Sequence, residues 1–370
     1  MRKGALGTGF WVMCTTPFHW EPSSTKEYSF GVQFEGVVNT EDVIRQLYLY
    51  EMEVDMSRSY YHYCSLDTFI AIISNKSLRL CDLSKTNDYM ERKWILKILE
   101  DSLIKAFEQN EIVINLKEDY WYEKGVHNHF SYIFGMLKHY VERSSYIACF
   151  SRNGDLLSQW RAYGDNGKGV SIGFNSNLIS KAVKKNEVHF EDVLYDLDEQ
   201  VEEITTVVKN AIHYMKNLFE HVTVRVSDDF NEFFVEEFDA FCEVICDDLA
   251  EISCYMKNPS FKEEDEVRII YSPNMSFDAD DDELKDIFNQ KKRFSNFVLN
   301  PLNYFARDEQ IIGYADLSFD KLVSRDIITE INIGPSSRVT EEDIFFLLSK
   351  HGYNARNVRI NNSESSYRLK

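Results

Sequence analysis

The chain has 370 residues, of which 44% are hydrophobic, and it contains 26 Phe, 21 Tyr and 6 Pro. This composition indicates a globular protein with one large domain or two ordinary ones, and it excludes a disordered chain. The formal net charge of −20 disfavours an extended surface that tracks nucleic-acid phosphates. It leaves room for a local basic cleft, and for a basic partner such as an inhibitor protein.

Seven cysteines are spread over the sequence without a C-x-x-C pair, so we expect neither a structural zinc nor another bound metal. Cys149 and Cys242 lie in apolar segments, which favours reduced thiols in a cytoplasmic protein. No apolar run is long enough to span a membrane, and the first twenty residues lack the pattern of a signal peptide. The sequence therefore predicts a cytoplasmic protein without a membrane partner.

The start of the chain predicts an irregular segment, a strand and two helices. Residues 1–38 look irregular, and Thr40 opens the first helix. The aromatic run SYYHYCS, which contains His62, predicts a short strand. The second helix, LDTFIAIISN, follows with Ser65 or Asp67 as its cap. A strand of sequence SLRLCDL comes next.

The run Tyr146–Phe174 combines a strand, a turn at Asn153, a short helix, a glycine-rich loop and a second strand. Glycines permit positive φ and let a ligand approach the backbone closely. Planar and cationic side chains ahead of such a loop commonly form walls that face a ligand. The run therefore predicts a small-molecule pocket. Its glycines are Gly164, Gly167 and Gly169, and the side chains ahead of them are Trp160, Arg161 and Tyr163.

Helices are predicted at residues 91–109, 126–143, 197–221, 229–257 and 341–351. Short strands are predicted near residue 190 and in FKEEDEVRIIYS, NFVLN, IITEINIG and NVRINN, and the acidic tract DADDDELKD is predicted as a loop. Short separated strands with inserted helices predict an α+β fold.

This pattern predicts one domain at residues 58–370, behind an N-terminal arm and helix at residues 1–57. Helical insertions are placed near residues 91–143 and 197–257.

Charged residues in FKEEDEVR allow two interpretations. On a strand, Glu264, Glu266 and Arg268 share one face. That face is either a solvated strip of salt bridges that adds little stability, or a catalytic carboxylate with supporting charges. His62 is similarly ambiguous, because a single histidine in an aromatic strand is more often a hydrogen-bonded structural residue than a catalyst.

Four segments, taken in order, resemble a bacterial family known as domain of unknown function 2971. They are YHYCSLDTFIAIISNKSLRLCDLSKTNDYMER, CFSRNGDLLSQWRAYGDNGKGVSIGF, FKEEDEVR and the stretch from ITEINIGP to NNSESSYR. The chain departs from the family at Tyr89 and Ser366, where proline is usual. The resemblance covers roughly residues 58–370.

The order of an early histidine and a distant glutamate is similar to the His-Tyr-Glu group of the ADP-ribosyltransferase fold. This resemblance implies a split antiparallel β-sheet core of ADP-ribosyltransferase type with helical insertions, which grips NAD in a cleft between two small sheets. It also implies cleavage of the nicotinamide–ribose bond, in which a carboxylate stabilises an oxocarbenium-like centre.

The same resemblance implies the catalytic roles. Glu266 is the expected catalytic carboxylate and Glu264 the residue that orients the acceptor, or the reverse. His62 would hydrogen-bond the adenosine side of NAD. Tyr163 would stack on nicotinamide, with Trp160 as the substitute.

The expected binding residues come from the resemblance as well. Ser151 would help to hold the nicotinamide ribose, and Ser65 lies in the opening motif as a further NAD-binding candidate. Arg79 would meet the pyrophosphate, with Arg161 and Arg368 as weaker choices.

The implied function is that of a mono-ADP-ribosyltransferase, acting as a bacterial toxin or anti-phage effector beside an antitoxin. NAD would be its substrate, and the acceptor would be nucleic acid, with RNA preferred, or protein. Two alternatives remain open: a non-catalytic module that senses a nucleotide or a partner protein, and an NAD glycohydrolase.

Overall fold

The computed structural model describes residues 59–86, 90–112, 116, 119–122, 125–182, 188–221, 229–273, 275, 281–294 and 296–367. The predicted N-terminal arm and helix, residues 87–89 of the opening motif, and Arg368 lie outside the described residues. None of the described helices is long and apolar enough to cross a membrane.

Fourteen strands are present in the described part of the chain. They are β1 Ser59–Cys64, β2 Ser77–Asp82, β3 Asp119–Tyr122, β4 Gly125–Asn128, β5 Tyr146–Ser151, β6 Val170–Asn175, β7 Val188–Asp192, β8 Glu266–Tyr271, β9 Lys292–Phe294, β10 Phe297–Leu299, β11 Asn303–Arg307, β12 Gln310–Ser318, β13 Ile328–Ile333 and β14 Arg359–Asn362. Twelve of them form one sheet in the order β14-β13-β6-β1-β5-β2-β12-β10-β9, in which β8 also pairs with β5, β7 with β8, and β11 with β12. Only the β13–β14 pair is parallel among these strand pairs, so the α+β prediction is confirmed as a mixed fold with a large, mostly antiparallel sheet.

The sheet forks at β5. One edge of β5 pairs with β8 along its whole length. The other edge meets β1 through a single residue pair, Tyr61 with Ser151, and meets β2 only at its opposite end, through Ile147 and Tyr146. β1 and β2 therefore diverge from the middle of β5, where this edge pairs with no other described strand.

Ten helices are described, and they are α1 Leu66–Asn75, α2 Leu99–Gln109, α3 His129–Tyr140, α4 Leu157–Ala162, α5 Ser176–Ala182, α6 Leu197–His221, α7 Phe230–Glu236, α8 Phe238–Ile252, α9 Asp281–Asn289 and α10 Glu341–Lys350. The sheet packs its main core against α1, α5 and α10. A second core, rich in phenylalanine, lies among α2, α3, α6, α7 and α8, which we call the helical lobe.

Local signals predicted most elements of this fold. Ser65 caps α1 by accepting a hydrogen bond from the Thr68 backbone N–H, as expected. The predicted helix at residues 229–257 is interrupted at Glu237 between α7 and α8. The helix predicted at residues 91–109 opens instead with a 3₁₀ segment, Arg92–Lys97.

One predicted element was wrong and one hairpin was not predicted. The described part of the acidic tract, residues 281–286, lies in α9, where a loop was expected. The hairpin of β11 and β12 was missed altogether.

Candidate active site

A buried ion cluster occupies the start of β8. Glu266 and Arg268 share a strand face, as predicted, and they form two hydrogen bonds, from Arg268 Nε to Glu266 Oε1 at 2.9 Å and from Nη2 to Oε2 at 2.8 Å. The residues are only 6% and 1% exposed, so the interpretation as a solvated strip is wrong. Buried charges of this kind persist only when they are paired and hydrogen-bonded.

Lys257 joins the cluster to two further carboxylates. Its Nζ lies 3.2 Å from Glu266 Oε2, 2.5 Å from Glu264 Oε2 and 3.4 Å from Glu91 Oε1. Glu91 also pairs with the Arg268 guanidinium. Three carboxylates thus share two cations, Lys257 and Arg268. Glu91 and Lys257 adjoin the 3₁₀ segments that lead into and out of the helical lobe, whereas Glu266 and Arg268 lie on β8. The cluster therefore ties that lobe to the sheet.

Glu264 reaches this cluster by a route that the strand pattern did not predict. It ends a 3₁₀ helix, Pro259–Glu264, and Asp265 then turns the chain into β8 with a left-handed φ of 43°. The prediction that Glu264 and Glu266 share one strand face was therefore wrong. The two carboxylates meet because a tight turn folds Glu264 back over Lys257.

The carboxylates differ in exposure and in acidity. The side chain of Glu264 is 13% exposed, against 7% for Glu266 and 3% for Glu91. Burial raises the pKa of Glu266, but the charge and hydrogen bonds of Arg268, together with Lys257, outweigh it and lower the pKa to about 2. Burial raises the pKa of Glu264 above its usual value, and Lys257 offsets only part of that effect. Glu266 is held as an anion, whereas Glu264 takes up a proton more readily.

Tyr163 covers the outer side of Glu264. Its side chain follows α4 and is 42% exposed, and its hydroxyl donates to Glu264 Oε1 at 3.4 Å. Burial, and then the charge of Glu264, raise the pKa of the Tyr163 phenol, so the hydroxyl stays protonated. The ring offers an open aromatic surface next to a carboxylate.

Trp160 cannot share that role, so its assignment as the substitute stacking residue was wrong. It is fully buried, its indole Nε1 donates to Asp155 Oδ1 at 2.6 Å, and its ring meets Tyr63 edge to face at 4.7 Å. A ring with both faces inside the core has no surface to offer a ligand.

His62 lies in the fork, where β1 leaves β5. Its Nδ1 is 2.9 Å from the Cys149 carbonyl oxygen, which can only accept, so Nδ1 carries the proton. Burial lowers the pKa of His62, and the imidazole is therefore neutral, with Nε2 as an acceptor. The ring lies beside Phe150.

Strand alternation puts His62 and Glu266 on opposite faces of the sheet, with the backbone of Cys149 between them. Within the described residues, no hydrogen bond or ion pair joins His62 to Glu264 or Glu266.

Among the remaining candidates, Ser151 lies beside the cluster and the others lie elsewhere. Ser151 is 2% exposed, lies opposite Glu266 in the β5–β8 register and accepts from the Asn153 N–H. Ser65 serves as the α1 cap. Arg161 is exposed on α4 and has no partner among the described residues.

Arg79 lies on β2, the other branch of the fork, where it pairs with Asp316. The structure therefore brings Glu264, Glu266, Tyr163 and Ser151 together and leaves Arg79 apart from them.

The glycines of the loop allow close packing that the sequence did not predict. A Cβ on Gly169 would lie 2.0 Å from the Cys64 carbonyl oxygen, and one on Gly164 would lie 2.6 Å from the Trp160 ring. These glycines let the loop pack against its own chain. Gly167 has the predicted positive φ, 80°, and the approach of a ligand to this backbone stays a prediction.

Sequence reasoning missed Lys257 and Tyr195. The Tyr195 hydroxyl accepts from the Glu266 backbone N–H at 3.3 Å. A lysine at the end of a predicted helix and a tyrosine at the end of a predicted strand carry no pattern that marks them. The described residues contain no group of three or more His, Cys, Asp or Glu that could hold a metal ion.

Comparison with known proteins gives one match. No curated protein and no solved structure gives a significant match to the chain. Residues 159–269, which include Trp160, Tyr163, Lys257, Glu264 and Glu266, match a protein-family model. Over this segment the chain carries the sequence pattern of the family described as "Protein of unknown function (DUF2971)", which supports the resemblance to that family.

Proposed function

We propose that this protein transfers ADP-ribose from NAD to an acceptor, with Glu264 as the carboxylate at the reacting ribose. The proposal rests on the surroundings of the Glu264 carboxylate. It is a carboxylate beside an exposed tyrosine, with one oxygen held by Lys257 and the other bound only by a long contact of 3.4 Å.

Cleavage of the nicotinamide–ribose bond requires a carboxylate of this kind. The bond between ribose C1′ and the nicotinamide nitrogen breaks, and nicotinamide leaves with the electron pair as a neutral molecule. Positive charge then develops at C1′, where a nearby carboxylate stabilises it. The acceptor forms the new bond at C1′ and loses a proton, which Glu264 accepts more readily because its pKa is raised.

Glu266 contributes indirectly, through its contact with Lys257. Both of its oxygens are already occupied by Arg268 and Lys257, so it has none to offer a ribose hydroxyl. Its fixed charge holds Lys257 in place, and Lys257 in turn orients Glu264. The order of the two glutamates is therefore the reverse of the first expectation.

Two other side chains complete the proposed site. The Tyr163 ring stacks on the cationic nicotinamide of NAD, a contact that an exposed aromatic face supports. Arg161, two residues earlier and without a partner among the described residues, takes the pyrophosphate in place of Arg79. His62 lies on the opposite face of the sheet from Glu266 and is not part of this proposed site.

The proposal includes the biological setting implied by the family resemblance. The protein acts as a bacterial effector or toxin that a partner protein restrains, and it modifies nucleic acid, RNA first, or protein.

The decisive experiment measures nicotinamide release and the attachment of labelled ADP-ribose to cellular RNA, DNA and protein. Glu264→Gln should lower both by about a hundredfold or more, because the developing charge at C1′ loses its carboxylate. Glu263→Gln is the matched control, since Glu263 is exposed and one residue away, and it should retain full activity.

Other outcomes would support a different function. Free ADP-ribose as the sole product would indicate an NAD glycohydrolase. Calorimetric binding of NAD without nicotinamide release would indicate a sensor module. Full activity of Glu264→Gln would remove Glu264 from the mechanism.

A further inference from the structure

A second surface lies on the β2 branch of the fork. Cys81 stands opposite Ile147 in the β2–β5 register, so Arg79 and Cys81 share the sheet face of the candidate active site. On β12 and β11 the same face carries Tyr314, Asp316, Phe305 and Arg307. We call the four residues Arg79, Phe305, Arg307 and Tyr314 the strip.

Cations and aromatic rings alternate along the strip. The Arg79 guanidinium carbon lies 3.8 Å from the Tyr314 ring centroid and 5.8 Å from that of Phe305. Arg307 lies 6.0 Å from the Phe305 centroid, and the two rings meet edge to face at 5.6 Å. The Arg79 side chain remains 46% exposed, and its ion pair with Asp316 fixes it in place. The exposed part of the Arg79 guanidinium is therefore a planar cation on which a base can stack.

A cavity of about 390 Å³ continues the strip at the ends of β2 and β12. Asp316 lines it and is neutralised by Arg79 at 3.0 Å. Asp320 also lines it and pairs with Lys76 at 2.8 Å. Lys291 and Lys321 line the cavity as well, and neither has an acidic partner among the described residues. The cavity therefore has a positive excess, although the chain carries a net charge of −20.

The cavity also presents amides. Asn75, Asn296 and Asn300 line it, and within the described part of the chain their side chains have no hydrogen-bond partner. Each amide offers both donors and an acceptor, which is the chemistry that reads the edges of unpaired bases.

We propose that the strip and this cavity bind single-stranded nucleic acid. Lys291 and Lys321 pair with phosphates, Arg79 stacks on a base, and the amides meet base edges. Elsewhere the acidic molecule repels a polyanion, so charge complementarity selects this surface. As the docking surface for the acceptor, the inference rests on the proposed transfer. The binding itself needs neither NAD nor Glu264.

The test of this binding is fluorescence anisotropy of the full chain with labelled single-stranded RNA and DNA of about fifteen nucleotides. NAD is left out, and the affinity is measured at about 50 and about 200 mM salt. Lys291→Ala with Lys321→Ala should weaken binding about tenfold and flatten the salt slope by about 1.4, since two phosphate contacts disappear. The matched control is Lys138→Ala with Lys209→Ala, two exposed lysines on α3 and α6, and it should change the affinity by less than about twofold.

Arg79→Lys tests stacking separately from charge. It keeps the charge beside Asp316 but loses the planar group, so affinity should fall about fivefold with an unchanged salt slope. Glu264→Gln should bind as tightly as the wild type, which keeps a failure of the transfer proposal distinct from a failure of this one.

Three results would overturn the inference: no binding of either nucleic acid at low salt, equal losses in the two lysine pairs, or equally effective competition by an acidic peptide.

Discussion

The two ends of the ion cluster differ in how far the protein itself satisfies their charges. At the inner end, Glu91 and Glu266 are nearly sealed and their oxygens are engaged by Arg268 and Lys257. At the outer end, Glu264 shares Lys257 but meets the surface beside Tyr163. Glu264 and Glu266, two residues apart, therefore differ. The inner carboxylate ties the helical lobe to the sheet, whereas the outer one keeps an oxygen whose contact, with the Tyr163 hydroxyl, is long.

At the inner end, Arg268→Met is expected to have the largest effect on the unfolding free energy. It removes both hydrogen bonds to Glu266 and leaves two buried carboxylates with only Lys257 between them, so we expect a loss of about 3–5 kcal/mol in unfolding free energy. Urea denaturation monitors the change. Arg152→Met is the matched control, because Arg152 also pairs with two carboxylates, Asp192 and Asp265, but at the surface, and it should cost about 1 kcal/mol or less. Equal losses would mean that the burial of the cluster adds nothing.

The pH dependence of the unfolding free energy should also distinguish the two ends of the cluster. Because the folded pKa of Glu266 is lowered to about 2 from 4.5, its contribution is present above pH 4.5 and is lost as the pH falls toward 2. The contribution is on the order of 3 kcal/mol. Glu264 has the opposite sign, since a raised folded pKa makes its ionisation unfavourable above pH 4.5.

The measurement is the unfolding free energy at a series of pH values, for the wild type and for Glu266→Gln and Glu264→Gln. The difference curve for Glu266→Gln should decline between pH 4.5 and 2, and that for Glu264→Gln should not. A decline in both would contradict the separate assignments.

At neutral pH the same two variants should differ in cost. Glu266→Gln places an amide NH₂ against the donors of Arg268 and Lys257, so we expect a loss of about 2 kcal/mol. Glu264→Gln, at the outer end, should change the unfolding free energy by about 0.5 kcal/mol or less while lowering the proposed transfer by about a hundredfold or more. Thermal and urea unfolding of both proteins supply the comparison. A more costly Glu264→Gln would reverse the proposed roles.

The sequence predicted the strand face of the inner end but not its burial. Alternation is a local property, so Glu266 and Arg268 were correctly placed on one face. What covers that face is the 3₁₀ segment Ser253–Tyr255, whose Cys254 carbonyl accepts from Arg268. That contact depends on how the helical lobe packs, and no local pattern encodes it.

The hairpin of β11 and β12 escaped prediction for a reason of turn chemistry. Its turn residues Asp308 and Glu309 have φ of 49° and 61°, the left-handed region that Asn-Gly or Asp-Gly pairs normally mark. Without that signal the two strands read as irregular chain. The left-handed Asp265 escaped for the same reason, and with it the position of Glu264.

A pair of tyrosines gives the finest test of the contrast. Tyr195 accepts from the Glu266 N–H at the inner end, so Tyr195→Phe leaves a buried backbone donor without its partner and should cost about 1 kcal/mol. Tyr163→Phe removes a long hydrogen bond at the exposed outer end and should cost about 0.3 kcal/mol or less. Its ring remains, so the proposed stacking on nicotinamide should be retained, whereas Tyr163→Leu should weaken NAD binding in calorimetry. If Tyr163→Phe proved the more destabilising of the two, Glu264 would be anchored by the protein and no longer free for a substrate.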